Sequence, residues 1–481
     1  MKKVEYKLPP MDHQKEAMAK AWPNSCFAYF MEMGTGKTYC AINLAAARFI
    51  NDQINAMLIF CPTPVKLVWE HEMEKFYPYD YEVFVMQSGK NSGAEAFIEK
   101  KHDKPTLKVF VVGIESMSQG SAYKYAMAFA KKHDVMAVVD ESSTIKNDKA
   151  ARTKKVIDIG GSCEFRIILT GTPITQGIED LFSQFRFLNQ WIIGCKSYFQ
   201  FKNKYCVVGG FENRQIIGYQ NTHKLLEQVS RYVYSVKTQD CIDMPERTYR
   251  SLIVEPTKDQ LRVIKSLKDL YEAEVGGDIL TASTVLERLT RYQQVCGGNF
   301  PFNDDEGGYD TKPIEGGNPK IDALVGDIER NLPLGTKAVI WARFRPEIKL
   351  ICERLREQYG TDAVVEFHGG VDYSGRKESV ESFQDDNSPV RFFVTMQSVG
   401  GMGITLTSAH HAYYFSNDFS YENRVQSEAR IWRNGQRNLC TYTDIIMNIH
   451  YDKMIANAVS QKKDLATYVD ERIEHYQSLS S

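Results

Sequence analysis

Three groups of residues in this 481-residue sequence have the types and spacing to handle a phosphate. The first is Met31-Glu32-Met33-Gly34-Thr35-Gly36-Lys37-Thr38. Gly34 and Gly36 permit a tight turn that points backbone N–H groups, that of Thr35 among them, at an anion. Lys37 can reach the β- and γ-phosphates, and the Thr38 hydroxyl can ligate Mg²⁺. The full phosphate-loop pattern starts with a Gly where this chain has Met31, so the match rests on its second half. The second group is Asp140-Glu141. Asp140 is suited to hold Mg²⁺ through water, and Glu141 to orient or deprotonate an attacking water. A helix N-cap is the alternative for such a pair, and the glycine loop upstream weighs for catalysis. The third group is Arg430 and Arg433, three apart and therefore expected on one helix face. Two guanidiniums suit phosphate charge spread over several oxygens, and a pair of surface arginines is the alternative. Gln14 adds an amide whose donor and acceptor match an adenine edge. Taken alone, it reads sooner as a solvated glutamine on a helix surface.

These residues need elements to hold them. The apolar run 26–30 precedes the glycine loop, and the Ala-rich run 39–47 follows it, which predicts strand, loop and helix. The helix N-terminus would add its positive dipole end to the phosphate site. Further apolar strands are expected at 57–61, 107–112, 135–139 and 165–169. Asp140 falls at the C-terminal end of one of them, where parallel sheets bind ligands. Strands alternating with helices predict a doubly wound parallel sheet. Strand-like runs recur at 337–341, 363–367, 390–395 and 411–415, a second α/β lobe with no glycine-lysine loop of its own. The middle breaks this alternation. A hairpin is expected near 207–219, a helix over 223–234, and a loop or hinge over 299–318. The stretch 88–106 is polar and reads as surface. The fold class is therefore α/β, with domains at 1–190, 191–320, 321–450 and 451–481.

Composition bounds the partners. Apolar residues make up 43% and charged residues 25%, as in a folded globular protein. The net charge of −2 means that any nucleic-acid surface is a local patch. Ten scattered cysteines without metal-site spacing read as reduced, buried thiols. No run is long and apolar enough for a membrane span, so a cytoplasmic protein is expected.

Along nearly its whole length the sequence resembles the SNF2-like branch of superfamily 2 helicases and translocases. Residues 33–38 resemble that family's Walker A motif, and 58–62 with Trp69-Glu70-His71-Glu72 resemble motif Ia. Residues 140–147 resemble its extended motif II, and 169–174 with 179–182 its long motif III. Thr395 with the loop 400–403 resembles motif V, and 426–436 resembles motif VI. Two positions depart: Ser143 replaces the usual His of motif II, and Ala429 replaces an Asp common in motif VI. Ser143 can hydrogen bond but cannot carry charge, so the departure bears on coupling rather than on hydrolysis.

The resemblance implies two RecA-like lobes with helical protrusions and a C-terminal brace helix. It implies ATP and Mg²⁺ bound by Gln14, Gly34, Thr35, Gly36, Lys37, Thr38, Asp140 and Gly403. Lys37, Asp140, Glu141, Arg430 and Arg433 would serve hydrolysis, with the site completed when a cleft between the lobes closes. Thr170, Thr172 and Gln426 would couple hydrolysis to movement, and Thr63, Ser116, Trp341 and Thr395 would meet a nucleic-acid backbone. The expected function is a DNA-stimulated ATPase that translocates along duplex DNA to remodel protein–DNA or branched-DNA structures. A strand-separating or annealing helicase is the alternative. The compact length suggests a motor from a bacterium or a phage-infected cell, with specificity supplied by partner proteins.

Overall fold

The computed structural model describes residues 2–87, 93–118, 120–209, 215–275, 282–303, 309–398 and 404–462. The chain divides into two compact units that part between Asp243 and Met244. Each is built on its own parallel sheet.

In the first unit the strands are β1 (Cys26–Met31), β2 (Ala56–Cys61), β3 (Tyr81–Val85), β4 (Leu107–Gly113), β5 (Val135–Asp140) and β6 (Phe165–Thr170). The hairpin β7 (Cys206–Gly209) and β8 (Gln215–Tyr219) follows, and then β9 (Val233–Val236). The sheet order is β3-β4-β2-β5-β6-β1-β9, and every pairing is parallel. Strands β1, β2 and β4 are buried along their whole length, which explains their unbroken apolar runs. Parallel register brings the strand ends level. Phe30 faces Thr170, Asp140 faces Leu169, and Cys61 faces Gly113. The loops after β1, β2, β4, β5 and β6 therefore emerge at one edge.

The second unit carries β10 (Arg247–Val254), the pair β11 (Asn299–Asn303) and β12 (Tyr309–Pro313), β13 (Lys337–Ala342), β14 (Val364–Phe367), β15 (Phe392–Met396), β16 (Ala409–Tyr414) and β17 (Cys440–Met447). Its main sheet runs β10-β17-β16-β13-β15-β14, again all parallel.

Several details differ from the sequence expectation. The middle stretch 191–320 is shared: β9 completes the first sheet, and β10 edges the second. The helix expected over 223–234 ends at Ser230, and the chain turns into β9 because the run Val233-Tyr234-Ser235-Val236 gains a parallel partner in β1. Half of the expected hinge, 299–318, pairs as the β11–β12 ribbon. Part of the polar stretch 88–106 is core, since the helix Ala94–Glu99 buries Phe97 and Ile98. Residues 450–462 are helical, and the rest of the expected brace helix lies outside the described residues. All ten cysteines are free thiols, nine of them buried. Among the described residues no helix is long and apolar enough to cross a membrane.

Candidate nucleotide site and nucleic-acid edge

The glycine loop leaves β1 and opens into the helix Lys37–Ile50. Gly36 has φ +90°, and a Cβ there would overlap the Gln14 side chain, so only glycine fits both the backbone and the neighbour. The Lys37 ammonium folds back onto the strand end, donating to Met31 O at 2.9 Å and Glu32 O at 3.4 Å. Thr35 Oγ1 donates to Glu32 O at 2.7 Å, which closes the turn. Beside it, Gln14 Nε2 donates to Thr35 O at 3.1 Å, and His13 Nε2 lies 2.8 Å from the same oxygen. Gln14 Oε1 accepts from Met11 N at 3.0 Å. The buried Gln14 amide thus braces the glycine loop in this structure. From the far side, Thr238 donates its hydroxyl to Met33 O and its N–H to the Glu32 carboxylate, both at 2.9 Å. That second clamp has no signal in the sequence, because Thr238 reaches the loop only through the pairing of β9 with β1.

Asp140 ends β5 at the same edge. Its Oδ2 accepts from Trp69 Nε1 at 2.9 Å and its Oδ1 from Glu141 N at 3.0 Å. Burial pushes the carboxyl above its ordinary value, and the Trp69 bond and the Lys37 charge pull partly back. Glu141 has φ 49°, a left-handed backbone that is uncommon for a non-glycine residue. The turn starts the short helix Ser142–Ile145, where Thr144 N and Oγ1 both donate to Glu141 O. Neither Asp140 nor Glu141 makes a side-chain cap bond to that turn, so the N-cap alternative is not what the pair does here.

The loop after β6 is tied to this acidic end. Ser142 Oγ donates to Gln184 Oε1 at 2.7 Å, and Gln184 Nε2 donates to Pro173 O at 2.8 Å. Lys146 Nζ bonds Thr175 Oγ1, and Asp180 Oδ2 accepts from Thr175 N, Thr175 Oγ1 and Gln176 N, each at 2.8 Å. Of the expected coupling residues, Thr170 is buried and its Oγ1 accepts from Thr172 N at 3.0 Å. Gln184, which sequence reasoning passed over, is the side chain that spans the two loops.

The expected nucleic-acid contacts divide. Thr63 and Ser116 lie together around Gly113, where an added Cβ would crowd Thr63 Oγ1 and reach Ser116 Oγ. The Glu115 carboxylate lies among them, accepting from Thr63 N at 3.0 Å and Thr63 Oγ1 at 2.7 Å. Trp341 and Thr395 correct the expectation. Both are fully buried, and Thr395 Oγ1 donates to Phe367 O at 2.7 Å. They belong to the interior of adjoining strands, where the side-chain alternation of β13 and β15 turns them under the second sheet.

Arg430 and Arg433 also correct it. The helix Tyr421–Glu428 stops before them, so they do not share a helix face. The chain turns because Ile431 and Trp432 plunge into the core and Gly435 adopts φ +103°. The two guanidiniums still converge: Arg430 donates to Ile404 O at 3.3 Å and Arg433 to Thr405 Oγ1 at 3.2 Å. Gln426, at the buried side of that helix, donates to Glu422 Oε1 at 3.4 Å. Gly403 lies outside the described residues. Sequence reasoning missed Arg424, which donates to both Asp444 oxygens at 2.6 and 3.0 Å and to Glu428 at 2.7 Å, with its guanidinium 3.5 Å from the Tyr414 ring centre.

A glycine-lysine loop on β1, a strand-end acid pair on β5 and a second parallel unit define a P-loop α/β protein of two lobes. Comparison with known proteins narrows the class. The SNF2-related domain matches residues 21–299, and the helicase conserved C-terminal domain matches 320–435. The chain belongs to the SNF2-related family. An uncharacterized ATP-dependent helicase of Mycoplasma pneumoniae is 23% identical over 457 residues, covering 94% of this chain and 41% of that protein. The DNA repair and recombination protein RAD54-like of Gallus gallus is 22% identical over 488 residues, covering 93% of this chain and 65% of the relative. The chain thus spans between two fifths and two thirds of the length of these two relatives. The Sulfolobus solfataricus SWI2/SNF2 ATPase core, solved in complex with dsDNA, is 21% identical, covers 98% of this chain and 96% of its own, and has a TM-score of 0.43.

Proposed function

We propose that this chain is a DNA-stimulated ATPase that couples ATP hydrolysis to translocation along duplex DNA, and so remodels protein–DNA or branched-DNA structures. The observation that carries the reading is the meeting of Lys37, Asp140 and Glu141 at one sheet edge, with the loop after β6 wired to the acid pair through Gln184. The relatives that this chain matches include proteins named for ATP-dependent helicase activity and for DNA repair and recombination.

In this reading Lys37 exchanges its two carbonyl partners for phosphate oxygens, which offer a stronger, charge-assisted bond. Glu141 orients the attacking water, and Arg430 and Arg433 neutralise charge on the transferred phosphoryl group. The donor set fits Mg²⁺. No cluster of three His, Cys, Asp or Glu side chains that could hold a metal occurs among the described residues. The protein side would be Thr38 and Asp140 alone, as for an ion bound mostly by phosphate and water. When bound, the ion supplies charge neutralisation at the phosphates. Thr63 and Ser116 contact the DNA backbone, without sequence preference.

The test is ATPase rate measured without nucleic acid and with single-stranded, duplex and forked DNA and RNA, beside triplex displacement. Duplex stimulation with ATP-dependent triplex release is expected. Hydrolysis without triplex release sinks translocation, and strand release from the fork favours the helicase alternative. Lys37→Ala should cut turnover at least about 100-fold. Arg433→Ala should bind ATP near normally while hydrolysis falls by about a thousandfold. Lost ATP binding in a folded Arg433→Ala protein would make that residue structural.

A further inference from the structure

The stretch 189–209 has a composition that the nucleotide site does not use. It contains Lys196, Lys202 and Lys204 and no Asp or Glu. It also presents two aromatic rings to solvent, Trp191 at 63% and Phe199 at 71% exposure. The rings are not loosely held. The helix Tyr198–Tyr205 is fastened by its other face, where Phe201 and Tyr205 are buried and pack with Phe182 and Tyr198. Phe199 lies off that face and points out. Ser197 caps the helix through Gln200 N at 3.3 Å, and Gln200 Oε1 accepts from Lys196 N at 2.9 Å. That fixed turn places Lys196 Nζ 5.7 Å from the Trp191 ring centre. Lys202, three residues on from Phe199, lies on the same side of the helix, whereas Lys204 is turned away from Phe199, its Nζ 4.9 Å from the Tyr205 ring centre.

We propose that this surface binds single-stranded nucleic acid, with unpaired bases stacking on Trp191 and Phe199 and the phosphate backbone drawn by Lys196 and Lys202. Exposed ring faces interleaved with lysines form a stacking platform of the kind that holds single strands without sequence preference. A duplex hides its base faces in its own stack, so it can use the lysines but not the rings. A protein partner would need an acidic face to use the lysines, and its binding would not depend on unpaired bases. The inference rests on the reading of the chain as a nucleic-acid enzyme, and adds a second contact on a different element from Thr63 and Ser116.

The test is fluorescence anisotropy with labelled dT20 and with a blunt 20-base-pair duplex, using the full chain and its Trp191→Ala, Phe199→Ala and Lys196→Glu variants. Both rings are exposed, so the variants should keep the parent melting temperature. Each aromatic loss should weaken dT20 binding by about tenfold or more, while duplex affinity and duplex-stimulated ATPase stay within about twofold. Trp191 is the one exposed tryptophan of the five, so dT20 should quench the protein's fluorescence and Trp191→Ala should lose that response. Unchanged dT20 affinity in all three variants, as a protein-docking surface would give, overturns the proposal, and so does an equal loss for duplex in the two aromatic variants. Failure of duplex to stimulate ATPase in the parent would sink the translocase reading instead, with dT20 binding measured independently of it.

Discussion

The Asp140 carboxylate is held by two donors, Trp69 Nε1 and Glu141 N, yet burial still raises its pKa. A carboxyl raised in the fold stabilises the protein fully below the ordinary unfolded value of about 3.9. That contribution is lost as pH rises through the raised value. Once ionised, the group therefore costs the protein stability, which fits a site poised for a cation. Asp140→Asn should abolish Mg²⁺-dependent turnover, and since its amide N–H₂ meets one of the two donors, the informative readout is the pH trend: relative to the parent its melting temperature should fall from pH 7 toward pH 4. A difference from the parent that does not change with pH would show that the Asp140 carboxyl is not raised in the fold. Trp69→Phe removes a donor that favours the ionised form, so the acid limb of the ATPase profile should move to higher pH.

At the scale of elements, the first sheet brings five loops to one edge, and the connection of two of them rests on Gln184. Its amide takes the Ser142 hydroxyl on one side and gives to Pro173 O and Asp180 O on the other. All of these groups but the carbonyls of the turn lie on buried side chains. Gln184→Met keeps the volume and leaves the Ser142 hydroxyl and the Pro173 carbonyl without that partner. The loss should be about 1–3 kcal/mol of stability, read from urea unfolding of the full chain. It should also lower DNA stimulation of the ATPase more than the basal rate. A basal rate reduced by the same factor would mean that Gln184 supports the fold and carries no signal.

At the scale of the molecule, a net charge of −2 leaves DNA binding to local chemistry. Glu115 occupies both Thr63 donors, the same N–H and O–H that a backbone phosphate would need. Glu115→Ala frees those donors and removes a repelling charge. Duplex affinity at 50 mM salt should rise about two- to fivefold, with the gain shrinking at 200 mM as exposed charges are screened. Weaker duplex binding at both salts would mean that Glu115 orients Thr63 for its contact.

Local sequence carried much of this. The glycine loop and its flanking strand and helix were legible because φ > 0 at Gly36, an apolar run of strand length and an Ala-rich helix are local preferences. Five strands of the first sheet and four of the second were readable as apolar runs, and so was the parallel α/β class. Sequence could not show β9 joining β1, since a four-residue strand has little pattern of its own and is decided by an available partner. Nor could periodicity foresee that the helix before Arg430 ends at Glu428, because burial of Ile431 and Trp432 outweighs helical spacing there. The family resemblance assigns Trp341 and Thr395 to the nucleic-acid edge, but the direction of each side chain is set by the strands on either side. Trp69 on Asp140, Thr238 on the glycine loop, Gln184 across two loops and Glu115 on Thr63 are contacts between segments far apart in the chain. Residue types and order determined what chemistry is available. Only tertiary packing decided which donors meet which acceptors, because a hydrogen bond needs about 3 Å of proximity and sequence spacing does not encode it.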